Sequence, residues 1–355
     1  MSRVYNFSAG PSMLPEEVLE QAGKEILDYK GSGQSVMEMS HRSKVFVEIF
    51  EETKADFKAL LNVPDTHEVL FLQGGASGQF AAVPMNLIGV SGKADYAITG
   101  NFANLAYKEA KKFSGNINVA ASSADANHTF IPAQSDLKFT PDASYFYYCA
   151  NNTIYGTEWQ YTPETGNVPL VSDMSSNIMS HPVDVGKYGV IFAGAQKNMA
   201  PAGVTVVIIR KDLAGHALPD TPVVFDYATM IDKDSMYNTP PCWCIYILGK
   251  VLKWVQSNGG VAGMEELKTL RSGLVYDYLD NSKLFKAPAQ KGSRSGMNVT
   301  FVTGNEDLDK RFASEAAKKG LINLAGHRNV GGMRASMYNA MPVEGAKALV
   351  EFMKE

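Results

Sequence analysis

The segment YGVIFAGAQKNMAPAG, residues 188–203, opens as a strand over 189–192, turns through Ala193-Gly194-Ala195 and presents Lys197. A second apolar run over 204–209 ends in Arg210-Lys211-Asp212. Between Val190 and Ile209 the only charged side chain is Lys197. A lysine in a turn is ordinarily a solvated surface group. An amine held among uncharged neighbours instead has a lowered pKa and becomes a candidate Schiff-base nucleophile. Twenty-four residues upstream of it, another buried-strand pattern over 168–171 runs into Ser172-Asp173. An amine and a carboxylate at the ends of neighbouring strands are the two charged groups that a pyridoxal phosphate site requires.

Working outward, apolar runs over 68–72, 94–99, 117–120 and 144–149 read as further strands, alternating with helical patterns such as 45–61 and 79–88. That alternation predicts an α/β fold with a mainly parallel sheet covered on both faces. Ligands of open α/β sheets gather at the carboxyl ends of the strands. Gly74-Gly75-Ala76-Ser77, Phe102, Thr153, Asp173 and Lys197 all follow strands closely. The strand, glycine turn and helix around Gln73-Gly74-Gly75-Ala76-Ser77-Gly78 is an arrangement that aims free backbone N–H groups at a phosphate. Residues 226–241 read as polar and irregular, and the helical run 245–256 ends at Asn258-Gly259-Gly260. Beyond it, helical patterns over 265–279, 307–319 and 343–354 and strands over 297–302 and 333–337 predict a small α+β unit with an antiparallel sheet. The expected division is an N-terminal segment 1–15, a large domain 16–258 and a small C-terminal domain 259–355.

At 355 residues the chain has ample material for a large core. Its composition, 45% hydrophobic and 20% charged, excludes disorder and fibrous repeats. A net charge of −4 argues against a nucleic-acid partner. With no apolar run of membrane-spanning length and no secretory signal pattern, a cytoplasmic location is expected and no membrane association. Three cysteines fit a reducing compartment. Cys242 and Cys244 lack a second metal-ligating pair, so they read as buried thiols and no metal is expected.

The stretch VSDMSSNIMSHPVDVGKYGVIFAGAQKNMAPAGVTVVIIR resembles the active-site region of the phosphoserine aminotransferases, fold-type-I pyridoxal-phosphate enzymes. The likeness runs along the chain through NFSAGPSMLP, VMEMSHRS, LFLQGGASGQF, YYCANNT, YNTPP and GHRNVGGMRASMYNA. It implies a seven-stranded sheet in the large domain, pyridoxal 5'-phosphate as cofactor, and amino-group transfer from L-glutamate to 3-phosphohydroxypyruvate, giving 2-oxoglutarate and O-phospho-L-serine in serine biosynthesis. By the same resemblance Lys197 carries the cofactor and then moves the substrate's α-proton, and Asp173 pairs with the pyridine nitrogen. Ala76 and Ser77 hold the phosphate, Phe102 stacks on the ring, and Thr153 and Gln196 hydrogen-bond the cofactor. Many members carry a tryptophan where Phe102 stands, and some an arginine where Ser77 stands. Asn238 and Thr239 correspond to phosphate ligands supplied by the other subunit, which implies a homodimer. Arg334 is expected to clamp the α-carboxylate, and His41, Arg42, His327 and Arg328 to form the cationic pocket for the distal phosphate.

The nearest alternatives are other fold-type-I enzymes, such as a serine–glyoxylate aminotransferase or a cysteine desulfurase. Against the desulfurase, no cysteine lies in a plausible mobile loop. A nicotinamide dehydrogenase is excluded because Gly74–Gly78 does not fit the dinucleotide fingerprint. A catalytically dead scaffold would be expected to lose Lys197 or Asp173, and both are present.

Overall fold

The computed structural model describes residues 3–355. A short strand β1 (Tyr5–Asn6) leads to α1 (Glu16–Glu25), whose first turn places Glu16 and Glu17 where the helix dipole favours anions. In α2 (Lys44–Leu60) the Ser43 hydroxyl caps the Phe46 N–H, and Phe46, Ile49, Phe50, Thr53 and Phe57 are buried at helical spacing. Next come β2 (His67–Leu72), α3 (Gly75–Leu87), β3 (Lys93–Ile98), α4 (Asn101–Ala110) and β4 (Asn116–Ser122). After β5 (Phe146–Cys149), the strands β6 (Asn151–Asn152) and β7 (Thr157–Glu158) form a small antiparallel hairpin. β8 (Leu170–Asp173), β9 (Val190–Gly194) and β10 (Thr205–Arg210) follow, then α5 (Tyr227–Asp232), α6 (Cys242–Ser257) and α7 (Gly260–Asn281). The chain ends with β11 (Asn298–Phe301), α8 (Glu306–Lys318), β12 (Leu321–Ile322), β13 (Met333–Ser336) and α9 (Val343–Lys354).

Seven strands form one sheet in the order β2-β10-β9-β8-β5-β3-β4. Only β10 runs antiparallel, against β2 on one side and β9 on the other. The carboxyl ends of β2, β3, β5, β8 and β9 therefore share one edge, and the loops that leave that edge carry the expected site. Apart from the edge strand β4, the strands are buried on both faces, as continuous apolar runs such as Val206, Val207, Ile208 and Ile209 require. One face packs on α2 and α6 through Phe50, Phe57, Phe71, Ile191 and Leu248, and the other on α3 and α4 through Leu70, Phe80, Tyr96, Tyr147 and Phe192. A separate core joins α7, β11, β13 and α9 through Val275, Phe301, Met333 and Leu349, and Phe7 from the N-terminal segment belongs to it.

Several expectations are corrected. Helix α3 begins at Gly75 rather than Gln79, because Gly74 (φ +95°) and Gly75 (φ +63°) turn the chain sharply through the left-handed region straight after β2. α4 is an addition to the expected helices; its buried face is Ala103, Ala106 and Ala110. The supposedly irregular 226–241 stretch contains α5, capped by the Asp226 carboxylate, which accepts from Ala228 N–H at 3.1 Å. Cys149 is buried, but Cys242 and Cys244 are only half-buried. They occupy the first turn of α6, whose buried face starts at Ile245.

One ion cluster yields a stability prediction. Glu68 on β2 receives Lys54 at 2.8 Å and Lys58 at 2.9 Å from α2. Burial alone would raise its pKa, but the hydrogen bonds from Lys54 and Lys58 outweigh that and pull it from 4.5 to about 2. The carboxylate's contribution, about 2 kcal/mol after allowing for partial exposure, is present above pH 4.5 and lost as pH falls toward 2. The wild-type advantage over Glu68→Gln, measured by urea denaturation, should be full at neutral pH and shrink through that acidic window. An advantage independent of pH would mean that the cluster acts only through packing.

Candidate active site

Lys197 stands in a tight turn between β9 and β10. Ala195 N–H bonds Val204 O at 3.1 Å, and Met199 and Ala200 N–H both return to Ala195 O at 3.0 and 2.9 Å. Small residues at 193–195 allow this close reversal. β8 and β9 are parallel neighbours, with Asp173 level with Phe192, so the carboxylate and the lysine turn leave the same edge side by side. Asp173 is 4% exposed. Its Oδ1 accepts from Ser175 N–H at 2.8 Å, and Ser175 Oγ accepts from Gly194 N–H at 3.0 Å, pinning the two loops together.

Burial pushes the Asp173 carboxyl up, opposed by its bonds to Ser175 and by the charge of Lys197. Burial likewise pulls the Lys197 ammonium down, opposed by Asp173. Each charge is disfavoured by the lack of water, and each is the other's partial remedy. Lys197 Nζ donates to Thr153 Oγ1 at 2.8 Å and lies 5.5 Å from the Phe102 ring centre.

These groups line a cavity of about 380 Å³ together with Ala76, Ser77, Gln196, His327 and Arg334. The first turn of α3 enters it with no side-chain cap. The backbone N–H groups of Gly75, Ala76 and Ser77 are thus available to an anion. Arg334 Nη1 donates to Thr153 O at 3.4 Å, while its buried Nε has no acceptor among the described residues. Burial, and then the charges of Arg334 and Arg328, lower the pKa of His327. One chain therefore gathers Ala76, Ser77, Phe102, Thr153, Asp173, Gln196, Lys197, His327 and Arg334 around one cavity. It leaves His41, Arg42, Asn238, Thr239 and Arg328 outside the lining. Arg42, Asn238, Thr239 and Arg328 are exposed; Asn238 Nδ2 bonds Gln73 Oε1, and Thr239 O accepts from Gln73 Nε2.

Sequence reasoning missed the groups that support this site. Ser12 bonds Gln196 O through its N–H at 3.0 Å and the Lys197 carbonyl through its hydroxyl. Gly10 (φ +132°) lies so close over the lysine that a Cβ there would stand 3.2 Å from Lys197 Cγ. Behind Thr153 runs a buried polar chain. Thr153 Oγ1 bonds Ser176 Oγ, Asn151 Nδ2 donates to Ser176 Oγ and to Asn298 Oδ1, and Asn298 Nδ2 donates to Ser336 Oγ and Tyr338 Oη. Tyr338 Oη donates in turn to Ala9 O at 2.8 Å. SAGP and MYNA, both present in the sequence motifs, were the available signals for the N-terminal segment and Tyr338.

The geometry suits a ligand with an anionic end, a protonated ring nitrogen and a carbonyl carbon. α3 meets the first, Asp173 the second and Lys197 the third. The donor set therefore fits pyridoxal phosphate.

Comparison with known proteins gives the same picture. The sequence pattern described as Aminotransferase class-V matches residues 4–349. A phosphoserine aminotransferase of Janthinobacterium sp. (strain Marseille) is 50% identical, over 100% of this chain and 98% of the relative. The solved phosphoserine aminotransferase from Bacillus circulans subsp. alkalophilus superposes with a TM-score of 0.97 at 44% identity, covering 99% of this chain and 98% of that one. The PLP-bound phosphoserine aminotransferase from Trichomonas vaginalis superposes with a TM-score of 0.95 at 41% identity, over 99% of this chain and 100% of that one. Over essentially its whole length, this chain belongs to the class-V aminotransferase family.

Proposed function

We infer that this chain is a pyridoxal-phosphate-dependent phosphoserine aminotransferase, exchanging the amino group between L-glutamate and 3-phosphohydroxypyruvate in serine biosynthesis. The observation that carries the reading is the buried pair of Asp173 and Lys197 at the ends of adjacent parallel strands, beside the uncapped start of α3 and the cavity-lining Arg334. Pyridoxal phosphate, when bound, supplies an electron-withdrawing ring that stabilises negative charge at the substrate α-carbon. Asp173 keeps the ring nitrogen protonated. Gly75, Ala76 and Ser77 offer backbone N–H groups to the phosphate, and Phe102 covers a ring face. Thr153 holds the Lys197 amine in position at 2.8 Å, and Gln196, which lines the same cavity, offers its amide to the cofactor. With its pKa lowered by burial, Lys197 serves as the base that takes the proton from the substrate α-carbon and returns it. Arg334, whose Nε has no acceptor among the described residues, serves the α-carboxylate, and His327, which also lines the cavity, serves the distal anion.

The single-chain cavity lacks the remaining cations, so the reading includes a homodimer in which a second copy brings Asn238 and Thr239 to the phosphate. His41, Arg42 and Arg328 then complete the distal anion pocket with His327. The proposed division into a large domain 16–258 and a small domain 259–355 accords with the separate core around α9, although the start of α7 packs with the large core through Met264. Among the described residues no helix is long and apolar enough to cross a membrane. Together with three free cysteines, this supports the proposed cytoplasmic setting.

The test follows the two half-reactions separately by stopped-flow absorbance of the holoenzyme, using glutamate, phosphoserine and alanine. Glutamate and phosphoserine should react and alanine should lag far behind. Arg42→Ala should lose roughly tenfold to a hundredfold in kcat/KM for phosphoserine, the worth of one charged hydrogen bond, and less for glutamate. Equal losses on all three substrates would remove Arg42 from the distal pocket. Preference for alanine over phosphoserine would overturn the substrate assignment.

A further inference from the structure

A second cavity, of about 440 Å³, lies away from the lysine turn, where the N-terminal segment meets α6, α7 and the turn before α9. Tyr5, Met13, Leu267 and Met341 give it apolar walls, and Arg271 of α7 stands among them. Arg271 is 1% exposed and has no acidic partner among the described residues. Its Nη1 donates to Met341 O at 2.9 Å and to Asn339 O at 3.3 Å. Nε and Nη2, both buried, find no acceptor among the described residues. Burial draws its pKa down to about 10, so the guanidinium stays charged at neutral pH.

Nε–H and Nη2–H form one edge of the guanidinium plane. They are two parallel donors spaced for the two oxygens of a carboxylate. Buried donors are satisfied in the great majority of folded proteins, so a charged pair without an acceptor, held just behind a cavity wall, calls for one. The rest of the lining narrows its chemistry. Glu16, Glu17 and Glu344 contribute three carboxylates and Arg3 one further cation, which makes the surroundings hostile to a dianion. α1 and α9 also begin here, behind Pro15 and Pro342, without side-chain caps.

We propose that this cavity binds a small monocarboxylate, held by the Nε/Nη2 edge of Arg271, with an apolar or ammonium-bearing body toward the glutamates. The proposal is independent of the transamination site, since none of these residues lines that cavity.

Titration calorimetry of the full-length holoenzyme with propionate, L-proline and inorganic phosphate tests it; L-proline, a secondary amine, is a poor candidate for transamination. Propionate or L-proline should bind once per chain, and phosphate should not compete. Arg271→Lys keeps the charge but loses the fork, and should weaken binding at least about tenfold. Leu267→Trp should fill the cavity and abolish binding while retaining turnover, which reports an intact fold. Arg334→Ala should leave this binding unchanged. Absence of wild-type binding at millimolar concentration would overturn the proposal. So would phosphate binding as tightly as propionate, or binding lost in Arg334→Ala but kept in Arg271→Lys and Leu267→Trp.

Discussion

Lys197→Ala should lower multiple turnover by at least about 10⁴-fold while leaving secondary structure and thermal unfolding close to wild type. The variant loses both the group that links to the cofactor and the base at the α-carbon, and a positioned base alone contributes about 10²–10⁴-fold. Little packing is lost. The amine's one hydrogen bond is to Thr153 Oγ1, which retains Ser176 Oγ as a partner. The absorbance of the cofactor-loaded variant should shift away from that of a lysine-bound imine. Turnover near the wild-type rate would sink the assignment. The same variant tests the shared site. Mixed under subunit exchange with an Asn238/Thr239 double-alanine variant, itself inactive, it should regain part of the activity. An active monomer would contradict the composite arrangement.

The second large effect is expected at Asp173, where two substitutions separate charge from structure. Asp173→Asn preserves an acceptor for Ser175 N–H, now at 2.8 Å, and so keeps the turn after β8. If Asp173 were only a loop cap, this variant would behave as wild type. If its charge holds a protonated ring nitrogen, removing it breaks a buried ion pair. That typically costs 3–5 kcal/mol, or about a hundredfold to several-thousandfold in cofactor retention or α-proton removal. Asp173→Ala should lose as much and also loosen the link from Ser175 to Gly194. Cofactor retention by gel filtration and the deuterium isotope effect on the first half-reaction would register the two losses separately. Unchanged values in Asp173→Asn would remove the charge from the mechanism.

The residues legible in the sequence are those whose local surroundings are unusual. Lys197 stood out because the nineteen other residues from Val190 to Ile209 are uncharged and would otherwise form two plain strands, and Asp173 because it terminates an apolar run. The sheet was legible for the same reason, since strands buried on both faces must be apolar throughout. Ser12, Gly10 and Tyr338 were not, because their contacts with the lysine turn and with Ala9 span up to 329 positions and leave no periodic trace. α4 and α5 escaped for a different reason. α5 has only six residues, too few to show the periodic contrast that marks an amphipathic helix, and the buried face of α4 is alanine rather than large apolar side chains. Arg271 also gave no signal, since a charged residue on a helical pattern reads as solvent-facing until the fold encloses it.

The pairing of β1 with β12 sets the order in which this enzyme can be made. Tyr5 aligns with Leu321, and Asn6 bonds Asn323 across 317 positions of chain. Residues 5 and 6 thus leave a ribosome more than 300 positions before the strand that they pair with. At about 5–20 residues per second that interval is roughly 15–60 s. The large sheet can close earlier, because β2 to β10 are all synthesised by residue 210. Gly10 and Ser12 reach the lysine turn along a segment anchored by that late pairing. Nascent chains stalled before β12 should therefore possess a folded sheet with an unroofed lysine, and competence should arrive only once β12 has been made.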